Sequence, residues 1–68
     1  MTTFAQRLRE LKKAKGVSFF DIAEDIGIGE STINGYANDK REPKLSYLIW
    51  LADYFGVSLD YLVGRDGP

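Results

Sequence analysis

A run of short polar residues between positions 30 and 35 has the side chains best suited to recognition by hydrogen bonding. It combines a carboxylate, two hydroxyls, an amide and one position without a side chain, namely Glu30, Ser31, Thr32, Asn34 and Gly35. Groups of this kind can donate and accept hydrogen bonds at base edges in the major groove of DNA. The run therefore indicates base contacts from these five residues, and the alternative is an ordinary solvated helix surface.

Two of these residues have particular partners among the bases. The Asn34 amide can pair with adenine through two hydrogen bonds, which are worth about 1 to 3 kcal/mol of discrimination. The Glu30 carboxylate can accept a hydrogen bond from the amino group of cytosine, but it also brings negative charge towards the phosphates. Asn34 is therefore the better candidate for direct readout of a base.

Residues 18–38 must position this run, and their pattern predicts two short helices joined by a tight turn. Ser18 and Asp21 have the spacing of a capping box at the start of the first of these helices. Gly27 can adopt the left-handed backbone that ends it, so that the next helix begins at residue 29 or 30. Apolar residues at helical spacing face the core from both helices: Ile22, Ala23, Ile26, Ile33 and Tyr36.

Apolar spacing predicts three more helices outside this unit. One precedes it and ends near Lys15, one is terminated by Gly56, and a short last helix covers residues 59–63 after a capping Ser58. The apolar stripes of these helices are Phe4, Leu8 and Leu11 in the first, Leu45, Leu48, Leu51, Ala52 and Phe55 in the fourth, and Leu62 in the last.

Three stretches carry a pattern that extends over nearly the whole chain: FAQRLRELKKAKGVS, IAEDIGIGESTINGYANDKREP and LADYFGVSLDYLVGR. In this order and spacing they resemble the DNA-binding domain of lambda-repressor and Cro-like regulators, the xenobiotic-response-element family of helix-turn-helix proteins. The resemblance implies an all-α fold, a compact five-helix bundle that forms a single domain over residues 1–68. Residues 65–68 are expected to be a frayed tail.

Positive charge lies on both sides of the central unit. The first 16 residues contain five basic residues and one acidic residue, whereas residues 17–38 contain four acidic residues and no basic ones. Taken alone, the basic first helix is as consistent with a solvated face as with phosphate contact. The resemblance favours phosphate contact, and we expect it from Arg9, Lys13, Ser18, Phe19, Asn38, Lys40, Arg41 and Lys44.

Phe19 departs from the family pattern, in which a glutamine at this position contacts a phosphate. A phenylalanine side chain cannot make that hydrogen bond, so only a backbone amide at the start of the helix could supply it. The spacing of Phe19 from Ile22 and Ala23 predicts instead that its side chain folds onto the core, whereas the neighbouring Phe20 is harder to bury.

Aromatic residues recur along one face of the fourth helix. Tyr47, Trp50 and Tyr54 lie opposite the stripe made by Leu48 and Phe55, and three aromatic residues on one face predict a contact surface. Since domains of this family usually act as dimers on two half-sites, a homodimer is the leading expectation. A groove for another protein is the alternative. The last helix supplies two more expected interface residues, Leu59 and Tyr61.

Composition limits the other functions that the chain could have. At 68 residues with 44% hydrophobic content, it can form a single core. It contains no cysteine and no histidine, so thiolate metal sites, disulfides and the commonest general base are excluded. We therefore expect no cofactor, no metal and no enzymatic activity. No stretch has the length and apolarity of a membrane span or a signal peptide, which predicts a cytoplasmic protein.

Together, the residues and the resemblance predict a sequence-specific regulator of transcription that binds double-stranded DNA. We expect it to be a repressor that binds an inverted-repeat operator as a homodimer. The alternative keeps the fold but assigns a protein-binding function, in which the chain pairs with a related repressor or antirepressor protein. Its support is the acidic central unit together with the aromatic residues, including Phe19 and Phe20.

Overall fold

Five α-helices make up the regular structure of the protein. The structure is a computed structural model that describes residues 3–65. Its helices are α1 Thr3–Lys15, α2 Phe19–Ile26, α3 Glu30–Ala37, α4 Leu45–Phe55 and α5 Leu59–Val63. The predicted all-α, five-helix fold is therefore confirmed. Residues 66–68 of the predicted frayed tail lie outside the described residues.

Both ends of α2, including the turn that leads to α3, are fixed by capping residues that the sequence contains. The Ser18 hydroxyl accepts a hydrogen bond from the backbone N–H of Asp21 at 3.0 Å, and the Ser18 N–H donates to the Asp21 carboxylate at 3.0 Å. At the other end of α2, Gly27 has a φ of 80° and donates its N–H to the Ala23 carbonyl at 2.9 Å. These contacts confirm the predicted capping box and helix stop.

The core receives one fully buried aliphatic side chain from each helix. In the order α1 to α5, these are Leu8, Ile22, Ile33, Leu51 and Leu62. The Phe4 and Tyr36 rings, whose centroids lie 6.2 Å apart, add an aromatic contact between α1 and α3. Because every helix is anchored at the same centre, the orientation of α3 is fixed by the whole bundle rather than by the turn alone.

The apolar residues of α4 are divided between the core and the surface. Leu51 is fully buried and Leu48 packs against the core, but Leu45 is 63% exposed and Ile49 is 43% exposed. The prediction that Leu45 belongs to the buried stripe is therefore wrong. Leu45 is the first residue of α4 and lies one turn before Ile49 on the same side, so it follows the outward face of the helix.

The aromatic residues of α4 do not share one solvent-facing surface. Trp50 is 46% exposed, whereas Tyr47 and Tyr54 are half-buried and pack against the core. The expectation that all three lie opposite the core stripe holds only for Trp50. None of the helices within residues 3–65 is both long enough and apolar enough to cross a membrane.

Candidate nucleic-acid interface

Helix α3 presents the polar run on an outward surface because its apolar residues are buried on the other side. Ile33, Tyr36 and Ala37 belong to the core. On the outward side, Glu30 and Ser31 are exposed. Three further residues of the run are half-buried: Thr32, Asn34 and Gly35. The structure thus brings all five predicted base-contact residues onto one short helix that projects from the bundle.

The amide of Asn34 is held only weakly within the protein. Its Nδ2 donates to the Glu30 carbonyl over 3.4 Å at an exposed position, a distance at the long limit of hydrogen bonding. An adenine edge could replace this bond at little cost, because water already competes for the same donor. The geometry therefore leaves Asn34 able to turn towards a base.

Gly35 has a packing function that the sequence did not reveal. A Cβ atom at this position would lie 3.0 Å from Cδ and 3.1 Å from Cγ of Arg41. The carbonyl of Gly35 also accepts hydrogen bonds from the backbone N–H groups of Lys40, at 2.8 Å, and Arg41, at 3.2 Å. The loop before α4 consequently folds back along α3, and the space beside Gly35 is occupied by the stem of Arg41.

The predicted phosphate contacts fall into two groups according to their partners in the structure. Several of these side chains are exposed: Lys13 on α1, and Asn38, Lys40, Arg41 and Lys44 in the segment between α3 and α4. Ser18 is also exposed, and its hydroxyl acts as the acceptor in the α2 cap, so its hydrogen remains able to donate. Phe19 and Arg9 are half-buried and have partners inside the protein.

Arg9 bonds to the end of α3 rather than extending away from the bundle. Its Nη1 donates to the carbonyl of Ala37 at 2.6 Å, across 28 residues of sequence. A cation at a helix C-terminus also interacts favourably with the helix dipole. Arg9 therefore connects α1 to the last residue of α3, which a sequence pattern could not show because the acceptor is a backbone carbonyl.

The Phe19 side chain packs against the core, as its spacing predicted. The Lys12 ammonium lies 4.7 Å from the centroid of its ring. Only the backbone of Phe19 remains for the predicted phosphate contact. Phe20 differs from it, because 52% of its surface is exposed.

The charge of Asp21 is maintained by the cap at the start of α2. The pKa of Asp21 is lowered, first by the hydrogen bond from the Ser18 backbone N–H and then by the Ser18 hydroxyl. The carboxylate thus stays ionised and holds the first turn of α2 in place.

An open depression of about 550 Å³ lies between the helix turn, α3 and the start of α4. Its polar side chains come from α3, from the loop after α3 and from α4: Thr32, Tyr36, Arg41, Glu42, Lys44 and Tyr47. Burial raises the pKa of Tyr36, and the nearby phenol of Tyr47 raises it further while Arg41 lowers it. The predicted interface residue Tyr47 therefore lies beside two residues predicted to contact DNA.

The other residues predicted for a dimer interface lie on α4 and α5. Trp50 lines a shallow groove with Asp25, Asp53 and Tyr54. Tyr61 contacts α1, because Arg7 lies 4.0 Å from its ring centroid and donates to its carbonyl at 2.8 Å. Leu59 is half-buried. The dimer interface at these residues stays a prediction: Trp50 lies next to both Tyr47 and Tyr54, whereas Tyr61 packs on α1.

Comparison with known proteins gives consistent matches over this architecture. A helix-turn-helix family matches residues 8–62. The HTH-type transcriptional regulator YobD of Bacillus subtilis (strain 168) is 41% identical over 66 residues, which are 96% of this chain and 59% of YobD. The cryptic phage CTXphi transcriptional repressor RstR of Vibrio cholerae is 30% identical over 60 residues, which are 88% of this chain and 54% of RstR. This chain spans between about half and three-fifths of the length of these relatives.

Solved structures show the same arrangement of helices. A transcriptional regulator from Listeria innocua superimposes with a TM-score of 0.87 at 37% identity, covering 96% of this chain and 61% of that chain. The restriction-modification controller protein C.AhdI from Aeromonas hydrophila superimposes with a TM-score of 0.83 at 33% identity, covering 90% of this chain and 92% of that one.

Proposed function

This chain belongs to the helix-turn-helix family, and we propose that it binds double-stranded DNA sequence-specifically as a transcriptional repressor. The observation that supports this most directly is α3, whose apolar residues are locked into the core while its polar run projects outward. The relatives are named as transcriptional regulators, and one of them is named as a repressor. Repression follows if the bound protein occupies a promoter.

Recognition divides into readout and anchoring. Helix α3 enters the major groove, where Asn34, Ser31 and Thr32 form hydrogen bonds to base edges and Glu30 accepts from cytosine. Exposed cations of α1 and of the loop after α3 hold the phosphates: Lys13, Lys40, Arg41 and Lys44. Since α2 is acidic and Glu30 adds another negative charge, these cations must offset repulsion from the duplex.

The protein acts as a homodimer through the outward face of α4. Leu45, Ile49 and Trp50 are three of the four large hydrophobic side chains that are exposed within the described residues. Their position on one helix makes a patch that a second copy could cover through a two-fold axis. Two copies of α3 would then face an inverted repeat, whose half-sites lie about one helical turn apart.

Selection from a random duplex pool, followed by titration, tests the proposed function. The selected duplex should bind at least about 10³-fold more tightly than a scrambled duplex. Affinity for both should fall steeply between about 50 and 200 mM salt, because each neutralised phosphate releases counterions. An Asn34→Ala variant is the matched control, since it should lose part of the preference while keeping the salt dependence. Equal affinity for selected and scrambled duplexes would contradict sequence-specific binding.

The exposed acidic surface of α2 supports a second candidate function. Asp21, Glu24 and Asp25 are exposed beside Phe20, and α2 carries no basic residue. Such a surface favours a protein antagonist that pairs with a related repressor. In the same titration, the antagonist would bind neither duplex but would form a complex with that repressor.

A further inference from the structure

We propose that the depression between α3 and α4 is a binding site, here called the seat, for a DNA phosphate and that the Tyr47 hydroxyl donates a hydrogen bond to this phosphate. The inference rests on the proposed function, since it assumes that α3 faces the duplex. It adds Tyr47 to the anchoring residues and removes it from the expected dimer interface.

The polar groups around the depression suit a phosphodiester. Arg41 and Lys44 supply two cations that can bind it through charge-assisted hydrogen bonds. Glu42 is the only carboxylate among the residues that line the depression. The depression is open and has a volume of about 550 Å³, so a phosphate that remains part of a duplex backbone could reach it.

The Tyr47 ring packs against Trp50 on one side, and its phenol lies near Tyr36. Its centroid lies 5.3 Å from that of Trp50, with an angle of 48° between the rings. Its phenol acts on the pKa of Tyr36, whose own ring contacts Phe4. No hydrogen bond to another residue within 3–65 engages the Tyr47 hydroxyl. Tyr47 therefore offers a pre-positioned donor at the side of the depression.

The seat lies at the end of α3 that would enter the groove first. Gly29 precedes α3, no side-chain hydrogen bond caps this end, and Gly29 and Thr32 both line the depression. A phosphate held there would also face the positive end of the helix dipole. It would set how deeply α3 enters the major groove, although it would read no base itself.

A Tyr47→Phe variant tests the inference because it removes the hydroxyl and keeps the ring packed on Trp50. Affinity should fall roughly 10-fold for selected and scrambled duplexes alike, as expected when a hydrogen bond to a charged group is lost. The salt slope should stay unchanged, because no cation is removed. Lys44→Gln should lower that slope by about 0.9. The matched control is Ser46→Ala, which removes an exposed hydroxyl of α4 that does not line the depression, and this variant should bind as the parent protein does.

Methylphosphonate duplexes then identify the partner of the hydroxyl. In each duplex one phosphate is replaced by its neutral analogue, and parent and Tyr47→Phe affinities are compared. At one position per half-site the affinity difference between the parent and Tyr47→Phe should disappear, because the charged phosphate that accepts the hydrogen bond has been replaced there. A difference that persists at every position would overturn the phosphate assignment.

Four other outcomes separate the remaining explanations. If the parent binds DNA and Tyr47→Phe binds equally well, the inference fails while the proposed function stands. If the parent binds no duplex, the proposed function fails. If Tyr47→Phe shifts sedimentation from dimer to monomer, Tyr47 belongs to the subunit interface, and this overturns the inference. Inorganic phosphate could also compete with DNA for the parent protein at constant ionic strength while Tyr47→Phe keeps the parent's DNA affinity. The depression would then bind a free anion, and this result would overturn the inference as well.

Discussion

Replacing Trp50 with alanine should abolish dimerisation and leave the monomer folded. Trp50 is 46% exposed, and an aromatic side chain buries about 150–250 Å² when fully covered, so a partner would cover roughly 70–115 Å² of this ring. At about 25 cal/mol per Å², this area contributes about 1.7–2.9 kcal/mol per chain. Both chains of a two-fold dimer lose this contribution, so the dissociation constant of the dimer should rise by roughly three orders of magnitude.

The fold should survive because the part of Trp50 that is covered within the monomer lies against the surface of the bundle. Its ring contacts Tyr47 rather than filling the centre, which is occupied by fully buried residues such as Leu51. Truncation therefore opens no internal cavity of the kind that costs about 3–5 kcal/mol for a buried tryptophan. Helix content should remain close to that of the parent protein.

Analytical ultracentrifugation over a range of concentrations, with circular dichroism on the same samples, measures both effects. Phe20→Ala is the matched control, because it removes an aromatic side chain of similar exposure, 52%, from α2 and should leave the dimer intact. Leu51→Ala is the opposite control and should destabilise the fold by about 2–5 kcal/mol. The reasoning is refuted if Trp50→Ala unfolds while the parent protein is monomeric. The interface would then be sought around Leu59 and Tyr61 on α5.

Four further predictions concern readout, anchoring, helix positioning and acid stability. Asn34→Ala should weaken binding to the selected duplex by about 1–3 kcal/mol while non-specific affinity changes little; a parallel loss of both would show that Asn34 reads no base. Arg41→Ala should lower both affinities and reduce the salt slope by about one unit in a salt titration, and an unchanged slope would count against a phosphate contact. Arg9→Met should lower the free energy of unfolding by about 1–3 kcal/mol, because the Ala37 carbonyl loses its charged donor. The salt slope of that variant should stay constant, whereas a decrease of about one unit would identify Arg9 as a phosphate contact. Asp21 has a lowered pKa in the folded protein, so its stabilising effect is present above the ordinary value of 3.8 and is lost as the pH falls through the lowered pKa. Asp21→Asn should therefore be less stable than the parent at neutral pH and equally stable in strong acid, as measured by urea unfolding, and a stability difference independent of pH would contradict this.

The start of α2, its end and the core could all be predicted from the sequence. The Ser18 cap, the Gly27 stop and the fully buried Ile33 depend on spacings of three or four residues, and such short spacings alone determine local helix geometry. The outward position of the polar run in α3 follows from the same periodicity. The family resemblance supplied the order of the helices, which periodicity alone leaves open.

The positions of Leu45, Tyr47 and Arg9 depend instead on which element lies over each side chain. Leu45 fits the apolar period of α4 but has no helix packed over it. Tyr47 lines the depression together with residues of the loop after α3, and this loop is held against α3 by hydrogen bonds to the Gly35 carbonyl. Such neighbours are far apart in the chain, and neither composition nor periodicity specifies them.

The sequence by itself determined the capped starts of α2 and α5 and the glycine stops of α1, α2, α4 and α5, because caps and stops act within a single turn of helix. Only the tertiary structure decided which side chains are buried, which stay exposed and which distant groups form hydrogen bonds. The hydrogen bond from Arg9 to Ala37 spans 28 residues, and that from Arg7 to Tyr61 spans 54. Both acceptors are backbone carbonyls, a group that every residue has. Residue type therefore cannot reveal such a pairing, and it forms only when the packed core brings the ends of distant helices together.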